Sequence, residues 1–197
     1  MQKHASEEPM LSRRLVLSGL AAGLSGLSLR AGAEPILGED GLYRQPWFLE
    51  SLLELADDLT EAAGKGKRFA IMWELRGCPY CKETHLVNFA RPEIESYIKD
   101  RFEILQLNII GAREVTDFDG EKLPEKRLAE KYGVRFTPTF QFFPDKLEGL
   151  AAKKAREREV SRFQGYLEPR QFLVMFRYVA QRAYEKGSLR EFLKANS

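Results

Sequence analysis

The stretch Phe69-Ala70-Ile71-Met72-Trp73-Glu74-Leu75-Arg76-Gly77-Cys78-Pro79-Tyr80-Cys81 decides how this chain folds. Its first seven residues are mostly apolar, rich in strand formers and free of breakers until Gly77, which reads as a central strand. Lys82 to Phe89 continues as a helix, and Pro92 marks a break before a helical Glu93 to Lys99. The run Phe102 to Ile110 is a second buried strand, separated from the first by enough helix for a parallel crossover. The two cysteines therefore stand at the turn between strand and helix inside a βαβ unit from Phe69 to Ile110.

Upstream, Leu49, Leu52, Leu53, Ala56 and Leu59 recur at helical spacing until Gly64-Lys65-Gly66. Downstream, a polar loop from Gly111 to Lys122 leads to a short helix, Glu125 to Tyr132, which Gly133 ends. Thr139 to Phe143 and Val160 to Gly165 form an antiparallel pair, and Lys146 to Glu159 between them is too long for a tight turn. A last long helix starts near Pro169 and places Phe172, Met175, Phe176, Val179 and Ala183 on one face. Gly187 closes it, and Ser188-Leu189-Arg190-Glu191 is a capping box for one more short helix. This order predicts an α/β fold, a mixed central sheet with helices on both faces.

The chain has two cysteines, three positions apart. A structural disulfide closing so short a loop would restrict the unfolded chain very little. Positions i and i+3 of a helix lie on one face, near the ~5.5 Å Cα separation a disulfide needs. The pair thus reads as a working dithiol. With Cys78 at the helix N-terminus, unpaired backbone N–H groups and the helix dipole favour its thiolate and make it the nucleophile. Cys81, one turn inside, is shielded and suited to resolving a mixed disulfide. Pro79 fits the first helical position, where a missing N–H loses nothing.

The beginning of the chain bears on location. Ser12-Arg13-Arg14-Leu15 leads into an apolar run to Leu29 that Gly19, Gly23 and Gly26 dilute, and Ala31-Gly32-Ala33 follows. Twin arginines, weak hydrophobicity and small residues at a cleavage point read as a Tat-type signal peptide over residues 1–33, which predicts export to the periplasm. Residues 34–45 read as a linker and 46–197 as one domain, the roughly 164 residues after position 33 being enough for a single core. Of 31 Lys and Arg, Lys3, Arg13, Arg14 and Arg30 precede residue 34, as do Glu7 and Glu8 of 29 Asp and Glu. The remainder carries equal numbers of both signs, so nothing argues for nucleic acid as a partner. A monomer without cofactor or resident metal is expected.

A second signal is Phe136-Thr137-Pro138-Thr139-Phe140, a proline opening a strand behind a threonine. A Cys-x-x-Cys between strand and helix, followed later by Gly133-Val134-Arg135-Phe136-Thr137-Pro138-Thr139, resembles the thioredoxin superfamily. The resemblance implies a cis bond before Pro138 and a substrate chain that pairs with the backbone of Thr137. Pro79, Tyr80, Thr137 and Pro138 would then form the substrate-binding surface. Together with Val87-Asn88-Phe89-Ala90-Arg91-Pro92-Glu93 and Glu114-Val115-Thr116-Asp117-Phe118-Asp119-Gly120, these blocks are similar to SoxW-type periplasmic thioredoxins of sulfur-oxidation systems. That likeness implies a protein-disulfide reductase supplied by a membrane thiol transporter of the SoxV, CcdA or DsbD kind. Its substrate would be a Sox carrier-protein cysteine or other periplasmic disulfides.

The chain also departs from that pattern. Met72 stands where thioredoxins carry a buried aspartate, and Gly77 replaces the tryptophan before the first cysteine. Glu74 lies on the same strand face as Met72 and is the candidate base for Cys81. Cys-Pro-Tyr-Cys is shared with glutaredoxins, but the chain is longer and lacks Gly-Gly after the Thr139 strand. A DsbA-like oxidant remains an alternative, since dithiol potentials in this fold run from about −270 to about −120 mV. So does a metal-binding chaperone, with Cys78, Cys81 and His85 on one helix face. Asp117, Asp119 and Glu121 match only part of a calcium loop and read as solvated. Lys153, Lys154, Arg156 and Arg158 alternate with Glu157 and Glu159, which reads as an exposed, salt-laced segment.

Overall fold

The computed structural model describes residues 34–195. In chain order it contains β1 (Ile36–Leu37), β2 (Tyr43–Arg44), α1 (Leu55–Gly64), β3 (Arg68–Glu74), α2 (Pro79–Glu83) and α3 (Pro92–Arg101). Then come β4 (Phe102–Asn108), β5 (Glu114–Thr116), β6 (Lys122–Pro124), α4 (Glu125–Lys131), β7 (Thr139–Phe142), β8 (Ser161–Gln164), α5 (Pro169–Ala180) and α6 (Leu189–Ala195). The main sheet has the order β4-β3-β7-β8. β3 runs parallel to β4 from Arg68 opposite Phe102 to Glu74 opposite Asn108, and antiparallel to β7. The crossover through α2 and α3 is the parallel βαβ unit expected from the apolar runs.

Alternation along β3 divides the core. Phe69, Ile71 and Trp73 pack with Leu55 and Leu59 of α1 and Leu128 of α4 on one face. Ala70 and Met72 pack with Ile94 and Ile98 of α3 and Phe172 and Phe176 of α5 on the other. Helices thus cover both faces of a mixed sheet. The capping box holds: Ser188 Oγ accepts from Glu191 N at 3.3 Å and the Glu191 carboxylate accepts from Ser188 N at 2.9 Å. Among the described residues no helix is long and apolar enough to cross a membrane. The signal-peptide reading of residues 1–33 lies outside the described residues.

Several expectations change. α1 begins at Leu55 rather than near Leu49, because the preceding backbone is satisfied by strands: Leu49 N donates to Ile104 O and Thr116 N to Leu53 O. Leu52 is 94% exposed and Leu53 adopts φ 64°, so neither continues a helical face. Residues 34–45, read as a linker, form the β1–β2 ribbon and bury Leu42 and Gln45 against the domain. The loop after Gly111 carries the β5–β6 hairpin. Arg158, read as exposed, is buried.

Asp58 in α1 is 6% exposed and accepts a hydrogen bond from Ser51 Oγ at 2.6 Å. Burial pushes its carboxyl up from 3.8 to about 6 against that hydrogen bond, with Glu61, Asp57 and Glu54 adding repulsion. A raised folded-state value means that the protonated group costs nothing below the unfolded value, and that stability is lost as pH rises through about 6. Asp58→Asn is therefore expected to stabilise the protein by roughly 1–2 kcal/mol at neutral pH and to give no gain below about pH 4. Urea midpoints of both proteins across that range measure it, and a constant difference would reject the cause.

Candidate active site

β3 leads into Leu75-Arg76-Gly77, where Gly77 takes φ 76°, a left-handed turn glycine makes without strain. Cys78 N donates to Leu75 O at 3.1 Å, and Cys78 becomes the N-cap of α2 with Pro79 in the first turn. Cys78 and Cys81 form a disulfide with Cα atoms 5.3 Å apart. Cys78 is half-buried, whereas Cys81 is 4% exposed. The backbone N of Cys81 donates to Cys78 Sγ at 3.1 Å, a donor aimed at the sulfur where a thiolate would carry its charge.

The loop before β7 faces this sulfur. Cys78 Sγ lies 3.6 Å from the carbonyl oxygen of Thr137, and the Thr137–Pro138 peptide bond is cis. Pro138 O accepts from Gly165 N at 2.8 Å and Phe136 O accepts from Thr139 Oγ1 at 2.7 Å, so the loop is pinned on both sides. Tyr80 is exposed and stacks on Tyr166 with ring centroids 6.4 Å apart, and Phe136 is 63% exposed. Two aromatic side chains open to solvent thus lie close in sequence to the sulfur and to Thr137, whose carbonyl faces it.

Behind the disulfide is a cleft of about 310 Å³ lined by Tyr43, Glu74, Cys78, Cys81 and Lys82 among others. Glu74, at the end of β3, is fully buried, and its carboxylate accepts from Gln106 Nε2 and lies 3.0 and 3.2 Å from His85 Nε2. His85 also lies 3.2 Å from Gln45 Nε2 through Nδ1, and the same amide donates to His85 O at 3.3 Å.

The position of His85 corrects its reading as a metal ligand sharing one helix face with the cysteines. After α2 the helix widens into a π-type turn, Thr84–Asn88, in which Phe89 N donates to Thr84 O. The wider turn departs from i, i+3, i+7 spacing and buries His85 between Phe48 and Phe89. Both ring nitrogens are engaged away from the sulfurs, and no group of three or more potential ligands occurs among the described residues. The acidic loop is not a cation site either, because Lys131 and Arg158 already neutralise Asp117 and Asp119. Gln45 and Gln106 were not read as site residues. Gln106, polar within an apolar strand, was a signal available in the sequence.

A family model described as a thioredoxin-like domain matches residues 55–180. No curated protein matches the chain. Similar solved structures include a thioredoxin-fold protein from Helicobacter pylori, 23% identical over 66% of this chain and 79% of that one, with a TM-score of 0.47. A thioredoxin from Thermus thermophilus is 25% identical over 62% of this chain and 81% of its own, TM-score 0.47. The periplasmic thioredoxin SoxS from Paracoccus pantotrophus is 18% identical over 59% of this chain and 99% of its own, TM-score 0.34.

Proposed function

This chain belongs to the thioredoxin-like family, and on that premise we propose that it is a periplasmic thiol-disulfide oxidoreductase working as a protein-disulfide reductase. The observation that carries the reading is the asymmetry of the Cys78–Cys81 pair, one sulfur half-exposed at a helix N-cap and the other buried one turn behind it. In the reduced protein the Cys78 thiolate attacks one sulfur of a substrate disulfide. A Cys78–substrate bond forms, the substrate S–S bond breaks, and the released thiolate takes a proton from solvent. The substrate chain lies along the backbone of Thr137, with Pro79, Pro138 and the exposed Tyr80 and Phe136 around it.

Cys81 then gives its proton to Glu74 across the cleft they share, and its thiolate attacks Cys78 Sγ. The internal disulfide forms, the second substrate thiolate leaves, and two electrons have passed to the substrate. The substrates are a Sox carrier-protein cysteine or other periplasmic disulfides. Because the bacterial periplasm has no reducing thiol buffer, the dithiol is restored by exchange with a membrane thiol transporter of the SoxV, CcdA or DsbD kind.

Direction is tested by trapping the redox state of Cys78 and Cys81 in cells with and without the transporter. The pair is expected to be mainly reduced in the first and mainly oxidised in the second. If it stays equally reduced in both, the electron route is wrong. If it is oxidised in both, the DsbA-like oxidant reading replaces it.

A further inference from the structure

We infer that Gln45, a residue of the N-terminal ribbon outside the family match, fixes the protonation pattern of His85 and thereby leaves Glu74 an unneutralised proton acceptor for Cys81. This rests on the role given to Glu74 above. The first step is the orientation of the Gln45 amide. Nε2 faces the carbonyl oxygen of His85 at 3.3 Å, and only a donor can face a carbonyl oxygen favourably. The amide is 3% exposed and its Oε1 has no hydrogen-bond partner among the described residues, yet Nε2 is the atom turned toward His85.

The second step follows from the same nitrogen. Nε2 of Gln45 is 3.2 Å from His85 Nδ1, so Nδ1 must accept and carries no proton. A neutral imidazole then has its proton on Nε2, which donates to the Glu74 carboxylate. Glu74 accepts a second hydrogen bond from Gln106 Nε2, and that amide also donates to Tyr43 O. Both donors holding Glu74 are neutral. The other titratable or charged groups lining the cleft are Tyr43 from β2, Cys78 and Cys81 from the disulfide turn and α2, and Lys82 from α2. A second proton on His85 would place a cation against Glu74 and weaken it as an acceptor. Gln45 forbids that proton, since an N–H at Nδ1 would face an N–H.

The consequence is a resolving step in which His85 donates to Glu74 as a neutral ring and the carboxylate stays free to accept the Cys81 proton. Nitrogen NMR of the full chain provides the first test. At neutral pH wild-type His85 is expected to show one protonated and one unprotonated ring nitrogen, and two protonated nitrogens would overturn the inference whatever the variants do. The second test uses an aryl disulfide probe, dithiobis-nitrobenzoate. It forms a mixed disulfide on Cys78, and attack by Cys81 then releases a second coloured thiolate whose rate is followed against pH.

In Gln45→Met, of similar size but without a donor, His85 can take its second proton. Release is expected to slow about tenfold near pH 6 and to match wild type near pH 8.5, with a new inflection in the histidine range. A packing defect alone would slow both alike. An unchanged profile, or an equal loss at all pH values, overturns the role of Gln45. Glu74→Gln separates the two readings: it is expected to slow release about 10²-fold near pH 7. If it does not, the base assignment fails and this inference with it. If it does while Gln45→Met behaves as wild type, only the inference falls.

Discussion

Cys78→Ser is expected to bring disulfide reduction to background, whereas Cys81→Ser is expected to hold substrate on Cys78 as a stable mixed disulfide. The asymmetry follows from what surrounds each sulfur. Cys78 sits at the N-cap of α2, is half-exposed and receives the backbone N–H of Cys81 at 3.1 Å, all of which favour a reactive thiolate. Cys81 is buried and reaches the solvent-facing chemistry through Cys78. A serine at position 78 removes the attacking group, and the buried thiol behind it has no access to a protein substrate. A serine at position 81 leaves attack intact and removes the group that would release the product. Alkylation of the reduced protein provides the check: Cys78 should label at least about tenfold faster than Cys81 near neutral pH. Faster labelling of Cys81, or trapping by Cys78→Ser instead, would reverse the roles.

The fold and dithiol were legible because each has a local signature. Two apolar runs separated by a helix can pack only as buried strands around a crossover, and a cysteine pair between strand and helix is visible in one dimension. The surroundings of the site were less legible because distant segments complete them. Gln45 belongs to a stretch that looks like a linker, and its amide acquires a purpose only when the ribbon brings it to His85. His85 itself was misread because helical spacing assumes an α-helix, and the π-type turn at Thr84–Asn88 changes the face a residue presents. Leu49 to Leu53 show the opposite failure, a helical pattern defeated by backbone partners on neighbouring strands.

Arg158 was misread for the same reason, and its burial among carboxylates makes its loss costly. The Asp117 side chain is fully buried. Its carboxylate accepts from Arg158 Nη1 at 2.7 Å, Tyr132 Oη at 2.7 Å and Phe118 N at 2.7 Å, and pairs with Lys131. Arg158 also donates to Asp119 Oδ2 and to the carbonyl oxygens of Leu150 and Lys153. One guanidinium thus joins the β5–β6 turn, the end of α4 and the excursion between β7 and β8. Arg158→Leu leaves the buried Asp117 carboxylate with Lys131 alone of these two cations and strips Asp119 of the same guanidinium, and a cost of about 3 kcal/mol is expected. Arg156→Leu, at a neighbouring exposed position, should cost less than about 0.5 kcal/mol. Adding Asp117→Asn to Arg158→Leu should recover part of the loss, because a buried charge held only by Lys131 is gone.

Acid titration provides a second reading of the same contact. Burial raises the Asp119 carboxyl, but hydrogen bonds from Arg158 and Lys131 outweigh it and hold the group well below its usual 3.8. A depressed folded-state value contributes stability that is present above the unfolded value and lost as pH falls below it. Wild-type urea midpoints should therefore fall more steeply below about pH 4 than those of Arg158→Leu, so the two proteins converge in acid. If Arg158→Leu costs no more than Arg156→Leu, or if the gap between wild type and variant stays constant in acid, the cluster is not what ties these three segments together.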